Sequence, residues 1–362
     1  MNLKTDRRAI RSLRVGVVPS THVLDLTVGA GSLSNTLDRE IESFKSGRQR
    51  SCAVKGEWGT GKSNLLSYVR EYCLQRNIAV SYINLNGRSV AVNHPQRFYH
   101  RVVADLRLPT VKGKGIANLL NVMRTPEGET IISKWGAANA YRSELARACL
   151  AYINGHRHLA IQVLLGADLS WADYSYKKDK AIRRISDLGE FLRHLGYGGL
   201  MIQYDELETV GQLWNIVSRQ SAYRMLHTLT TMKSVWSIFA TTDLLSQKLI
   251  SDERSGKLRD FNALSFVTDY RKLSVLDPPI IDARLGLKLL QEIEGLYRGI
   301  YPLPQDAGLG QILERWLRMP FRNPRRLIRH AIDHLDRQRP VPLHRQATGD
   351  CECSPTIEYG TN

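Results

Sequence analysis

Between positions 56 and 63 the chain reads Gly56-Glu57-Trp58-Gly59-Thr60-Gly61-Lys62-Ser63. This satisfies the spacing G-x-x-x-x-G-K-[ST], and the residue types in it are those needed to hold phosphate. Glycines let backbone N–H groups converge on phosphate oxygens without a Cβ in the way. Lys62 supplies a point charge for β- and γ-phosphates, and the Ser63 hydroxyl is a hard oxygen ligand for Mg²⁺. The helix that must follow presents its positive end to the same anion, with Asn64 in its first turn as a further nucleotide contact.

A second group is Leu200-Met201-Ile202-Gln203-Tyr204-Asp205-Glu206, an apolar run ending in two carboxylates. Beside a phosphate loop, Asp205 reads as a Mg²⁺ ligand, direct or through water, and Glu206 as the base that takes a proton from an attacking water. Without that loop the same pair would read as a simple helix cap. A third run ends in Thr241-Thr242-Asp243. Either threonine could orient the water or sense the γ-phosphate. The fourth is Arg322-Asn323-Pro324-Arg325. Asn323 is a good N-cap and Pro324 a good first helical residue. Arg325 then falls in the first turn, where a cation opposes the helix dipole, and this points to contact with a bound phosphate. The competing reading is a solvated arginine face.

These groups need a frame. Residues 52–55 and 79–85 read as buried strands flanking a helix over 64–76, the βαβ signature of a parallel sheet. Strand patterns return at 199–205 and 235–241, with a weaker one at 272–277. A helix is expected over 34–46 and another in the segment from Arg7 to Arg14. From 96 to 196 the pattern is helical, with 159–165 open to either reading. Pro278-Pro279 breaks the chain, and about three helices are expected over 280–338. The expected organisation is a lead-in over 1–50, an α/β core over 51–279 with a helical insertion at 96–196, a lid over 280–338 and a disordered tail over 339–362.

The chain has 362 residues, 43% of them apolar, enough for a substantial core. No run approaches the roughly 18 apolar residues of a membrane helix, and the polar start Met1–Arg8 does not read as a secretory signal. Five scattered cysteines, Cys351 and Cys353 among them, argue against a disulfide framework and for a reducing compartment. The net charge of +16 favours a polyanionic partner, most often nucleic acid. Basic clusters stand at Lys177-Lys178-Asp179-Lys180 with Arg183-Arg184, and between 315 and 345, where nine Arg face two Asp. No base-reading motif is visible, so sequence-independent DNA contact is expected.

The four motifs in this order, followed by helices, resemble the AAA+ ATPases, especially the clade near origin-recognition and clamp-loader proteins. Asn323-Pro324-Arg325 resembles that superfamily's second sensor, and Thr241 or Thr242 its first. Arg8-x-x-Ile10-x-x-Leu13-Arg14-x-Gly16-Val17, with the phosphate loop about 40 residues on, is similar to the ATP-binding proteins of BREX-type bacterial phage-defence systems. The resemblance implies an α/β P-loop core, ATP and Mg²⁺ as ligands, homo-oligomers, and action near DNA in the cytoplasm beside other defence proteins. It also implies an arginine supplied in trans, for which Arg254, Arg259 and Arg271 lie in the right interval; Arg259 is the choice, since it precedes the candidate last strand. One departure is the 143 positions between Lys62 and Asp205. Two functions remain open: a hydrolase coupled to DNA engagement or assembly, and an ATP-loaded switch with little turnover. A kinase fits poorly, lacking reason for the Asp-Glu pair, the sensor strand and the lid together.

Overall fold

The computed structural model describes residues 3–86, 92–166 and 174–339. Along the chain run α1 (Leu3–Arg14), α2 (Val23–Leu26), α3 (Ser34–Lys45), β1 (Arg50–Lys55), α4 (Lys62–Gln75) and β2 (Ala79–Asn84). Six helices follow before the next strand: α5 (Pro95–Ala104), α6 (Ile116–Met123), α7 (Pro126–Asn139), α8 (Glu144–Ile153), α9 (Arg157–Leu164) and α10 (Tyr174–His194). The second half holds β3 (Leu200–Asp205), α11 (Ile216–Thr231), β4 (Val235–Thr241), α12 (Asp243–Arg254), α13 (Phe261–Arg271) and β5 (Ser274–Val275). It ends in α14 (Ala283–Arg298), α15 (Leu309–Leu317) and α16 (Pro324–Arg337).

The five strands form one parallel sheet in the order β2-β3-β4-β1-β5. Every residue of β3 and β4 is buried, as expected of central parallel strands covered on both faces. The order sets β4 between the loop-bearing β1 and the acid-bearing β3. Lys55 is level with Thr241 and Asn84 with Asp205, so the carboxyl ends of these strands open on one edge. In open parallel sheets this is the edge where ligands bind.

Three apolar cores hold the fold. Leu65, Val69 and Phe44 pack α3 and α4 on one face of the sheet with Val54 and Ile238. On the other face, Tyr204 and Phe239 pack with Phe98 of α5 and Phe266 of α13. Leu119, Trp135 and Leu145 from α6, α7 and α8 join this same core, so the long helical stretch between β2 and β3 enlarges the sheet's own interior. The span 159–165, open in the sequence, is helical as α9.

The third core unites the two ends of the chain. Ala9, Ile10 and Leu13 of α1 are buried with Leu290, Ile293, Leu327 and Ile332 of the C-terminal helices. Arg14 forks onto Asp336 of α16 with two bonds of 2.8 Å, and Tyr297 donates to the same carboxylate at 2.6 Å. The lead-in expected over 1–50 is therefore divided: α1 belongs to the lid bundle, whereas α3 lies on the sheet. Of the basic clusters, the side chains of Lys177 and Lys178 lie outside the described residues, as does the tail with Cys351 and Cys353.

Candidate active site

The phosphate loop begins where β1 ends. Gly56 and its N–H are tied to the sheet, donating to the Thr241 carbonyl at 3.3 Å. Gly59 and Gly61 have φ of +85° and +99°, values that a Cβ penalises. Gly61 caps α4 in that left-handed conformation, and Thr60 closes the turn onto the Glu57 carbonyl through its N–H at 3.3 Å and its hydroxyl at 2.8 Å. The helix thus begins at Lys62, two residues earlier than the sequence suggests. Ser63, Glu57 and Trp58 are exposed at the loop, and the Trp58 ring lies 5.9 Å from Lys62 Nζ.

Lys62 is 9% exposed and donates to the carbonyls of Gly56 at 2.6 Å and Glu57 at 3.0 Å. Burial pulls its pKa below the usual lysine range, opposed by the charges of Glu208, Asp205, Glu57 and Glu206. The charges of these four carboxylates thus act on one ammonium, whose own hydrogen bonds go to backbone carbonyls.

Asp205 ends β3 at 3% exposure. Its Oδ1 accepts the N–H of Glu206 at 3.0 Å and its Oδ2 the hydroxyl of Tyr82 at 2.8 Å. Glu206 is half-buried in the left-handed region, φ 59° and ψ 42°, which costs a non-glycine residue about 1–2 kcal/mol. The Asp205 carboxylate and the Thr209 N–H, which donates to the Glu206 carbonyl at 3.0 Å, hold it there. Backbone strain of this kind is concentrated at functional sites.

Thr241 and Thr242 are both fully buried. Thr241 Oγ1 donates to the Thr242 carbonyl at 3.2 Å, whereas Thr242 Oγ1 meets no partner among the described residues. Of the two candidates, Thr242 is therefore the one with a hydroxyl left to offer.

The lid reaches this edge through the start of α16. Asn323 caps the helix, its Oδ1 accepting from the Arg325 N–H at 2.8 Å, and its own carbonyl accepts from Trp316 Nε1 at 3.0 Å. A Cβ at Gly59 would come within 2.2 Å of Asn323 Nδ2, so the cap of the lid helix touches the phosphate loop. Arg325 is exposed, its stem lying over Gly16. Between loop and lid is a narrow cleft, lined by Leu26, Thr27 and Val28, by Thr60, Gly61 and Asn64 at the loop, and by Pro278, Pro279, Pro324 and Ile328.

Arg259 is exposed, and its N–H donates to Gln220 Oε1 at 2.9 Å. No hydrogen bond or ion pair among the described residues ties it to the loop or to the acids. The segment after it is α13, and the short β5 follows that helix, so Arg259 precedes the last strand with one helix between them. Arg271 is paired with Glu253, and Arg254 is exposed.

Two contributors escaped the sequence reading. Glu208 is 3% exposed and charge-coupled to Lys62; burial pushes its pKa up, against hydrogen bonds from its own and the Thr242 backbone. Its position three after Asp205 was a usable signal, since a single turn returns it to the same edge. Tyr82 carried none, being one of several polar residues in a short strand.

The donors available for Mg²⁺ are the Ser63 hydroxyl and the Asp205 carboxylate, an oxygen-only pair that fits a hard cation. Among the described residues no group of three or more His, Cys, Asp and Glu could hold a metal, so the cation would share the nucleotide's phosphate oxygens. Also among the described residues, no helix is long and apolar enough to cross a membrane.

The chain matches the family described as BREX system ATP-binding protein BrxC/D, over residues 2–123 and 113–242. No curated protein matches it. Among solved structures, a Walker-type ATPase of Pyrococcus abyssi aligns with a TM-score of 0.46 at 13% identity, over 85% of this chain and 68% of that one.

Proposed function

The chain belongs to the family of BREX system ATP-binding proteins BrxC/D, with a P-loop nucleotide-binding fold, and on that premise we propose that it is an ATP hydrolase of a bacterial anti-phage system. The observation that carries this reading is the strand order, which sets Lys62, Asp205, Glu206 and the threonine pair along one edge.

In this reading the phosphates of ATP enter the loop from Gly56 to Ser63. Lys62 exchanges the carbonyls of Gly56 and Glu57 for β- and γ-phosphate oxygens. Mg²⁺, when bound, offsets charge on those oxygens, and Ser63 and Asp205 are the residues that would hold it. Glu206 takes a proton from the attacking water, with Thr241 or Thr242 orienting that water. Arg325 reaches across from the lid to the phosphates. The base lies in the cleft under α16, with Asn64 beside it.

Hydrolysis is coupled to DNA engagement or to assembly in the cytoplasm, with further copies of the chain and other defence proteins as partners. The charge of +16 supports a polyanion. The exposed Arg259, whose side chain has no hydrogen bond or ion pair among the described residues, supports an arginine given to a neighbouring copy. A second reading, an ATP-loaded switch with slow turnover, is favoured by one observation. Lys62 and both oxygens of Asp205 are already bonded within the chain, so the site must exchange partners before it can act.

Steady-state ATP hydrolysis, with and without duplex DNA and beside Glu206→Gln, tests the choice. DNA-stimulated turnover abolished by the substitution supports the coupled hydrolase. Tight ATP binding with negligible turnover in both conditions overturns it in favour of the switch.

A further inference from the structure

Asn64 lies one residue beyond the phosphate loop, and its side chain borders the cleft between loop and lid. Its amide orientation is fixed by its neighbour. Thr27 Oγ1 stands 2.6 Å from the Val23 carbonyl, to which it must donate its single hydrogen. The same oxygen is 3.0 Å from the Asn64 amide. Having spent its hydrogen, it can only accept there, so the group facing it is the Asn64 NH₂. The Asn64 carbonyl oxygen then points the other way, and it is buried with no hydrogen-bond partner among the described residues.

The rest of that cleft is apolar. Val18, Leu26, Val28, Pro278, Pro279 and Ile281 wall it, while Thr60 and Gly61 of the phosphate loop close one end. A nucleotide with its phosphates in the loop would lay its base between these walls. The unmatched feature is a single acceptor, and the ligand must bring the donor. The six-position substituent distinguishes the two common purines here: adenine carries an amino group and guanine a carbonyl oxygen. The first satisfies the Asn64 oxygen. The second sets acceptor against acceptor and leaves both buried without a partner, which is costly.

We propose that Asn64, held in one orientation by Thr27, is the residue that selects a 6-aminopurine nucleotide over a 6-oxopurine one. The proposal rests on the reading of this cleft as the nucleotide site.

The test is a set of binding titrations on the full chain with ATP, GTP and purine riboside triphosphate, which has neither substituent at position six. Wild type is expected to bind ATP about tenfold or more tighter than either of the others, the loss expected for one unmatched buried acceptor. Asn64→Leu should bring the three affinities within a few-fold of one another. Thr27→Val is the second variant. It removes the hydroxyl that pins the amide while keeping the side chain's shape, so the amide can turn its NH₂ to the cleft and GTP should gain relative to ATP. Equal affinity of wild type for ATP and purine riboside triphosphate would overturn the proposal, as would an ATP:GTP ratio unchanged in both variants. Those failures leave ATP binding intact. If wild type bound none of the three nucleotides, the reading of the cleft itself would fall, and the proposal with it.

Discussion

The hydroxyl of Tyr82 donates to Oδ2 of Asp205 at 2.8 Å. The two residues come from neighbouring strands, and Tyr82 is level with Gln203, two positions before the acid. Tyr82 therefore orients the carboxylate proposed to hold Mg²⁺. Burial, together with the charge and hydrogen bond of Asp205, pushes the phenol well above its usual pKa, so it remains a donor throughout the working range. Removing an outer hydrogen bond to a metal-binding carboxylate costs about tenfold or more in metal affinity or activity. Tyr82→Phe should weaken the Mg²⁺-dependent part of ATP affinity by about tenfold. ATP affinity in chelator should be unchanged. An equal loss with and without Mg²⁺ would show that Tyr82 acts on the fold and not on Asp205.

Lys62→Ala and Glu206→Gln should separate binding from chemistry. Lys62 is the cation of the loop, and its removal should abolish measurable ATP binding by calorimetry. Glu206→Gln keeps size and hydrogen bonding but cannot take a proton. ATP affinity should stay within a few-fold while turnover falls by about 10²–10⁴. Retained ATP binding in Lys62→Ala would remove the phosphate-loop reading altogether.

Gly59 and Gly61 offer a matched pair. Both have positive φ, so alanine strains the backbone at each by about 1 kcal/mol. At Gly61 nothing lies within 4 Å of the added Cβ, whereas at Gly59 it would meet Asn323 Nδ2 at 2.2 Å. Gly59→Ala should therefore lower the thermal midpoint more than Gly61→Ala and should displace the start of α16. Limited proteolysis within 318–323 would report that displacement. Equal midpoints would mean that the lid does not bear on the loop in solution.

The Arg14–Asp336 fork makes one stability contribution depend on pH. The hydrogen bond from Arg14, joined by that from Tyr297, holds the Asp336 carboxyl below its usual range against burial. Folded protein thus gives up this proton more readily than unfolded chain. The contribution is whole above the ordinary carboxylate pKa of about 4 and is lost as pH falls through the lower folded value. Solvent screening at this part-exposed pair limits it to about 1 kcal/mol. Asp336→Asn should lower stability to denaturant by that amount at pH 7, and the difference from wild type should shrink below pH 4. A difference constant from pH 7 to pH 3 would rule the pair out as its source.

The chemistry-bearing segments were legible because each is local. The loop from Gly56 to Ser63 is one turn between a strand and a helix, and its residue types and spacing alone point to phosphate contact. Asp205 and Glu206 are neighbours at a strand end, and Asn323 with Pro324 is a helix start in any context. The strand patterns at 199–205 and 235–241 were legible as mostly apolar runs, as strands covered on both faces are, with Gln203, Asp205, Ser237 and Thr241 the buried polar exceptions.

Tertiary structure decided the relations between segments far apart in the chain. Tyr82 and Asp205 are 123 positions apart, and Thr27 and Asn64 are 37 apart. Their meetings depend on strand register and on which helix covers which face. The same holds for α1, whose apolar stripe could have served any partner and was buried by α14 and α16, and for Glu206, whose left-handed backbone is imposed by its neighbours. Residue types state what a group can do. Which groups share one edge is set by packing, where many weak contacts act together and no single residue carries the information.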